Sequence, residues 1–212
     1  MLTDHGLHFV IGKRATGVST LIKRIFVENT NRKKIHIITH KGNKTAYNPL
    51  LSNNVKIHYY IQQSDCNDDM FDNIISDVND GNGNNLLVIF EGVSSIYRSG
   101  VTWGYFSSRI RGLLAKKVLI VLGSSSAPSI YKHTFEGDDG KSLIKTAFVF
   151  KENNLTDIVK LAKMFNVDAE IFRSKLKKLI PLNFESLVIN VNKHEIYIRK
   201  KNLIGEYNLI RA

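Results

Sequence analysis

The run Phe9-Val10-Ile11-Gly12-Lys13-Arg14-Ala15-Thr16-Gly17-Val18-Ser19-Thr20-Leu21-Ile22 constrains the fold more than any other stretch of this chain. Its apolar start predicts a strand over His8–Gly12, and an amphipathic pattern predicts a helix over Thr20–Glu28. Gly12 opens the connection between them and Gly17 closes it. Glycine reaches backbone conformations that a Cβ forbids, so this loop can curl tightly. A strand that feeds a helix in this way needs a sheet to lie in and further strands to cross back to.

The remainder of the chain supplies them. Strands are predicted over Ile35–Thr39, Val55–Ile61, Leu86–Glu91, Val118–Gly123 and Ala147–Lys151, and helices over Asp68–Val78, Tyr105–Lys116 and Leu155–Phe165. Leu86-Leu87-Val88-Ile89-Phe90 and Val118-Leu119-Ile120-Val121-Leu122 are apolar throughout, the mark of strands covered on both faces. Such strands alternating with helices predict an α/β fold, a mostly parallel sheet flanked by helices and joined by right-handed crossovers. The C-terminal part reads differently. Asp168–Leu179 is a lysine-rich amphipathic helix that stops before Pro181, and Leu187–Val191 and Glu195–Lys200 alternate around Asn192-Lys193 as a β-hairpin. We read one domain, with a core over about 5–166 and a helix-and-hairpin appendage over about 167–212.

Composition narrows the class. With 212 residues there is room for one sizeable core. The single cysteine, Cys66, excludes an internal disulfide and fits a reducing compartment. The opening MLTDHGLHFVIGKR lacks the plan of a signal peptide, and no apolar run reaches membrane-spanning length, so an intracellular chain without a membrane is expected. A formal charge of +11 has two readings, a polyanionic partner or the Lys, Asn and Ile bias of an AT-rich genome.

The glycine loop carries the chemistry. Phosphate-binding loops have the frame G-x-x-x-x-G-K-[ST], and Gly12, Gly17 and Ser19 stand in that register, with Thr20 following. There the backbone N–H groups curl around a phosphate and the helix N-terminus adds partial positive charge. Val18 occupies the lysine position. Losing one charge-assisted hydrogen bond costs about 1.5–3 kcal/mol, and valine offers no substitute donor. Lys13, second in the loop, is the candidate replacement, while Arg14 is less constrained in direction. A strand–turn–helix that binds nothing is the alternative reading. In a nucleotide-binding fold of this kind a second apolar strand ends in an acid that holds the water shell of magnesium. Leu86–Phe90 ends in Glu91-Gly92, so the acid is a glutamate and the next position lacks a general base. Asp80, Asn82, Asn84 and Glu91 also match four positions of a calcium loop, but Asn85 stands where its glycine is required.

Ile11-Gly12-Lys13-Arg14-x-x-Gly17-x-Ser19-Thr20-Leu21-Ile22 resembles the P-loop of the DNA-packaging ATPases of large nucleocytoplasmic viruses, members of the FtsK–HerA group of ring-forming DNA translocases. The resemblance extends to about residue 190 through the Leu86–Glu91 strand, the Val118–Gly123 strand, Ala127-Pro128 and a returning Phe148–Lys151 strand. It implies a P-loop NTPase fold of the RecA/ASCE type. Gly12, Lys13, Arg14, Gly17, Ser19 and Thr20 would then hold ATP, and Ser19 and Glu91 would lie on the Mg2+ side, with Glu91 as the one catalytic acid. It further implies double-stranded DNA as partner, a homo-oligomeric ring or an active paralogous ATPase, and host cytoplasm or virion as location. Val18, Glu91-Gly92 and Gly123-Ser124-Ser125-Ser126, where the group has a phosphate-sensing glutamine, all depart in one direction. They point to a weak or inactive ATPase with a structural, regulatory or DNA-contacting role. The alternatives are a working translocase using Lys13, or a nucleic-acid-binding protein that ignores nucleotide. A nucleoside kinase would need an arginine-rich lid, which is missing.

Other features are weaker. Arg109 and Arg111 could act in trans as arginine fingers or be ordinary exposed helix residues. Lys160, Lys163, Arg173, Lys175, Lys177 and Lys178 form either a track for a DNA backbone or a solvated face. Asp65, Asp68, Asp69 and Asp72 suit the dipole at a helix start. The histidines are scattered without zinc-ligand spacing, and no serine sits in a nucleophile elbow.

Overall fold

The computed structural model describes residues 2, 5–13, 15–43, 47, 52–60, 68–79, 83–93, 103–125, 142–201 and 206–212. Arg14, Asp65, Cys66, Asp80, Asn82, Ser126, Ala127 and Pro128 lie outside them. The elements are β1 (Gly6–Ile11), α1 (Val18–Glu28), β2 (Lys34–His40), β3 (Val55–Tyr60), α2 (Asp68–Asn79), β4 (Leu86–Glu91), α3 (Trp103–Ala115), β5 (Leu119–Ser124), β6 (Ile144–Phe150), α4 (Leu155–Met164), α5 (Ala169–Lys177), β7 (Ser186–Asn190), β8 (Glu195–Lys201) and β9 (Tyr207–Arg211). The fold is α/β, with a mostly parallel sheet flanked by helices and a C-terminal hairpin.

The chain forms two compact units, Met1–Leu7 with Ile22–Gly123, and His8–Leu21 with Ser124–Ala212. In the first unit the strand order is β3-β2-β4-β5, and every neighbouring pair is parallel. Every residue of β4 is buried, as its unbroken apolar run requires. Phe71 of α2 and Phe106 of α3 meet Phe90 of β4 at ring-centroid distances of 5.9 and 5.2 Å, which seals one face of these strands.

In the second unit β6, β7, β8 and β9 follow in order, and each neighbouring pair is antiparallel. Asn190 pairs with Glu195 across the expected hairpin turn. Helices α4 and α5 start at side-chain caps, where Asn154 accepts from the Thr156 and Asp157 N–H groups and Asp168 accepts from that of Ile171. Phe165, Phe172 and Leu176 are fully buried beneath them. Lys151 donates to the Leu179 carbonyl at 3.1 Å and the Lys177 carbonyl at 3.4 Å, which satisfies acceptors at and just past the α5 C-terminus.

Two expectations need correction. Helix α1 starts at Val18, not Thr20, because the Gly17 carbonyl already accepts the Leu21 N–H at 2.9 Å. Strand β9 was not expected. Its side chains are mostly exposed, so it carries little burial pattern, and it exists through its ladder with β8.

Candidate functional site

The glycine loop lies wholly in the second unit. Gly12 N–H bonds the Ser124 carbonyl at 3.1 Å, where the strand ends and the chain turns out of the sheet. The Thr16 hydroxyl and N–H both donate to the Lys13 carbonyl, at 2.7 and 3.2 Å, closing the curl. Ala15 sits at φ 66° and Gly17 at φ 112°, so left-handed backbone is concentrated within three residues. Any Cβ at Gly17 would be strained, and it would stand 2.9 Å from the Phe184 ring. A Cβ at Gly12 would stand 2.6 Å from Phe150 Cβ. Gly12 is therefore demanded by packing against Phe150, and Gly17 by packing and by the turn.

Helix α1 makes its first internal bond at Leu21, so the N–H groups of Val18, Ser19 and Thr20 are the donors that helix geometry leaves for an outside acceptor. The Ser19 and Thr20 side chains are exposed. This donor set fits a phosphate group. Lys13 is paired: its ammonium lies 2.9 Å from Glu152, and its side chain is 55% exposed against 8% for the acid. Glu152 also accepts from the Asn153 and Asn154 N–H groups at 2.7 and 2.8 Å. Burial pushes this carboxyl up, but the two backbone donors and Lys13 outweigh it and hold it below the usual glutamate value.

The acidic strand end lies in the first unit. Glu91 closes β4 and is buried. One carboxylate oxygen, Oε2, accepts the Thr39 hydroxyl at 2.8 Å and the Tyr47 hydroxyl at 2.9 Å. Burial, then the charge and hydrogen bond of Glu91, raise the Tyr47 phenol far above its ordinary value, so it remains a donor. Gly92 N–H bonds the Gly123 carbonyl at 3.0 Å, tying the end of β4 to that of β5.

No protein-family model matches the sequence, and no curated protein does. Solved structures do. The DNA-packaging ATPase B204 from Sulfolobus turreted icosahedral virus is 16% identical and superimposes with a TM-score of 0.67, over 94% of this chain and 98% of that one. The genome-packaging NTPase B204 from Sulfolobus turreted icosahedral virus 2, solved in complex with AMPPCP, is 17% identical with a TM-score of 0.67 over the same shares, 94% and 98%. The pCW3 conjugation coupling protein TcpA, solved with ATPγS, gives 8% identity and a TM-score of 0.55 over 100% of this chain and 61% of that one. The chain has the P-loop NTPase fold. It shares that fold with the viral DNA-packaging ATPases, as the loop sequence led us to expect.

Within this P-loop fold the other candidate residues are placed as follows. Arg109 is tied down inside the first unit, with its Nε donating to the Tyr105 hydroxyl at 3.2 Å and its guanidinium 3.8 Å from Asp72. Arg111 lies half-buried on the same helix, α3. Lys160, Lys163, Lys177 and Lys178 are exposed and Lys175 half-buried on or beside α4 and α5, while Arg173 lies 3.8 Å from Glu170. Asp69 and Asp72 are exposed in the first turns of α2, which begins at Asp68.

Sequence reasoning missed two clusters. His36 and His58 read as scattered, yet the register pairs Ile38 with His58, which puts both histidines on one face of adjacent strands. His36 Nε2 lies 2.9 Å from Asp77 and its Nδ1 2.9 Å from His58 Nε2. Burial, with His58 and Lys56 nearby, lowers His36 to about 4 against the attraction of Asp77. A neutral His36 thus donates to Asp77 and accepts from His58. The second missed group is Glu152 with Phe150 and Phe184, which surround the loop from far along the chain. No sequence motif marks them. Among the described residues no group of three or more His, Cys, Asp or Glu side chains is placed to hold a metal, and no helix is long and apolar enough to cross a membrane.

Proposed function

We propose that this chain is a nucleotide-binding P-loop protein of the DNA-packaging type, with weak or absent hydrolysis. The loop carries the reading: left-handed backbone at Gly17, the first-turn N–H groups of Val18, Ser19 and Thr20, and a lysine, Lys13, in place of the one lost at Val18. These groups would hold the phosphates of ATP, and Ser19 the metal side. Mg2+ held on the Ser19 side would supply positive charge to offset that of the phosphates. Glu91 is the acid available for hydrolysis, and the absence of a second acid at Gly92 supports slow turnover. The viral packaging ATPases that share the fold, one of them solved with AMPPCP, favour ATP as the nucleotide and DNA as the polymer. Exposed lysines at 160, 163, 177 and 178 suit a phosphate backbone, and a homo-oligomeric ring or an active paralogue would complete the machine.

Equilibrium binding of ATP with Mg2+ to the wild type and to Lys13→Ala tests this. We expect binding that weakens at least about tenfold in the variant, the loss of one charged hydrogen bond. DNA-stimulated turnover is expected to be slow or absent. Wild-type protein that stays unliganded at millimolar ATP would sink the nucleotide reading. DNA affinity that falls steeply with salt and ignores ATP would then favour a nucleic-acid-binding role. Fast turnover abolished by Lys13→Ala would instead establish a working ATPase.

A further inference from the structure

The turn from Ile180 to Glu185 stands beside the phosphate loop and is fixed more firmly than its exposed apolar side chains explain. Phe184 adopts φ 50°, ψ 36°, a conformation unfavourable for an aromatic residue. Its N–H donates to the Pro181 carbonyl at 2.9 Å and its carbonyl accepts from Arg199 Nη1 at 3.2 Å. Arg199 is buried, and its guanidinium stacks on the Tyr207 ring 3.5 Å from the centroid. Tyr207 in turn donates to the Asn183 carbonyl at 3.2 Å, and Glu185 accepts the Ile180 N–H at 2.8 Å. These bonds hold a turn whose Ile180, Leu182 and Phe184 are 47%, 90% and 38% exposed. One edge of the Phe184 ring meets Gly17, immediately before the helix donors of Val18, Ser19 and Thr20.

An apolar surface held in place next to a phosphate cradle, with an aromatic ring at the junction, suits a ligand with an anionic end and a flat apolar end. We propose that Phe184, with the exposed side chains of its turn, is the stacking platform for the base of a nucleoside triphosphate whose phosphates occupy the Gly12–Thr20 loop. This rests on the nucleotide reading above and adds the residue that recognises the base. Stacking on an aromatic ring is sequence-tolerant, because every base presents a π face. The unusual backbone at Phe184 is then explained by the ring it places beside Gly17.

The test compares ATP with inorganic tripolyphosphate, which has the anionic end and lacks the base. Wild-type protein should bind ATP more tightly than tripolyphosphate. Phe184→Leu keeps an apolar side chain against Gly17 but removes the π face; it should weaken ATP about tenfold and leave tripolyphosphate unchanged within about twofold. Phe184→Tyr should retain wild-type ATP affinity. Equal loss of both ligands in Phe184→Leu would mean that the ring holds the loop and not the base, and would overturn the proposal. So would equal wild-type affinity for the two ligands, or a Phe184→Leu protein that binds ATP normally. Wild type that binds neither ligand would bring down the underlying nucleotide reading, a failure distinct from the others.

Discussion

Two buried glutamates stand at or just past the ends of apolar strands, and the chain satisfies them in opposite ways. Glu152, two residues beyond β6, takes two backbone N–H groups and the Lys13 ammonium. Glu91, the last residue of β4, places one oxygen against the side-chain hydroxyls of Thr39 and Tyr47. Backbone donors cannot leave without unfolding the turn that carries them, so Glu152 is a fixed anion. Hydroxyls rotate, so Glu91 is held by partners that can release it. The fixed acid pairs with the loop lysine, while the hydroxyl partners of the other sit on side chains that can turn.

The largest expected effect comes from breaking the fixed side. Glu152→Ala strands two backbone donors and a lysine at the start of α4, and should lower unfolding free energy by about 3 kcal/mol in urea titration. Lys13→Ala should lower it by less than about 1 kcal/mol, since the lysine is mostly solvated and a half-exposed pair is worth little. Equal losses in the two variants would mean that the ion pair, not the backbone, fixes Glu152.

Acid should separate the two units next. Glu152 lies below its ordinary value in the fold, so its contribution is present at neutral pH and lost only as pH falls through the lowered carboxyl range. In the first unit the loss starts earlier. His36 is lowered from 6.5 to about 4 in the fold, so between those values the unfolded chain binds the extra proton and stability rises with pH. Lys56 and His58 oppose its protonation and Asp77 favours it, while Lys34 lies 3.6 Å from Asp77. We expect protection of β2 and β3 amides against hydrogen exchange to fall on going from pH 6.5 towards 4, with His36 contributing at most about 1.4 kcal/mol per pH unit. His36→Asn should flatten that slope. A slope that persists in the variant would assign it to His58, which burial also lowers, or to carboxylates.

Much of this architecture is visible in the residues themselves, and the exceptions share a cause. Leu86–Phe90 and Val118–Leu122 declare buried strands because each residue's own chemistry demands cover on both faces. Gly12 and Gly17 declare the loop because spacing and backbone freedom are local properties. Strand β9 failed to declare itself because its evidence is a ladder to β8 and not a pattern of its own. The partners of the site were hidden for the same reason. Glu152 reaches Lys13, Phe184 reaches Gly17 and Tyr47 reaches Glu91 only after the chain has folded back. Arg199 stacking on Tyr207 to brace the Phe184 turn is a tertiary fact of this kind.

The smallest effects test whether the hydroxyls at Glu91 act together. Tyr47→Phe deletes one hydrogen bond at nearly constant volume and should lower stability by about 1 kcal/mol. Thr39→Val should do about the same, since it removes the other donor to the same oxygen. Because the two share one acceptor, their energies should not add. The first deletion leaves Oε2 still bonded, while the second removes its remaining hydroxyl donor. The double variant should therefore lose at least about 0.5 kcal/mol more than the sum of the singles in chemical denaturation. Additive losses would make the hydroxyls independent and Glu91 as rigidly held as Glu152. A coupled pair would mean that once one hydroxyl turns away the other holds the shared oxygen more tightly, so that losing a single donor does not free Glu91.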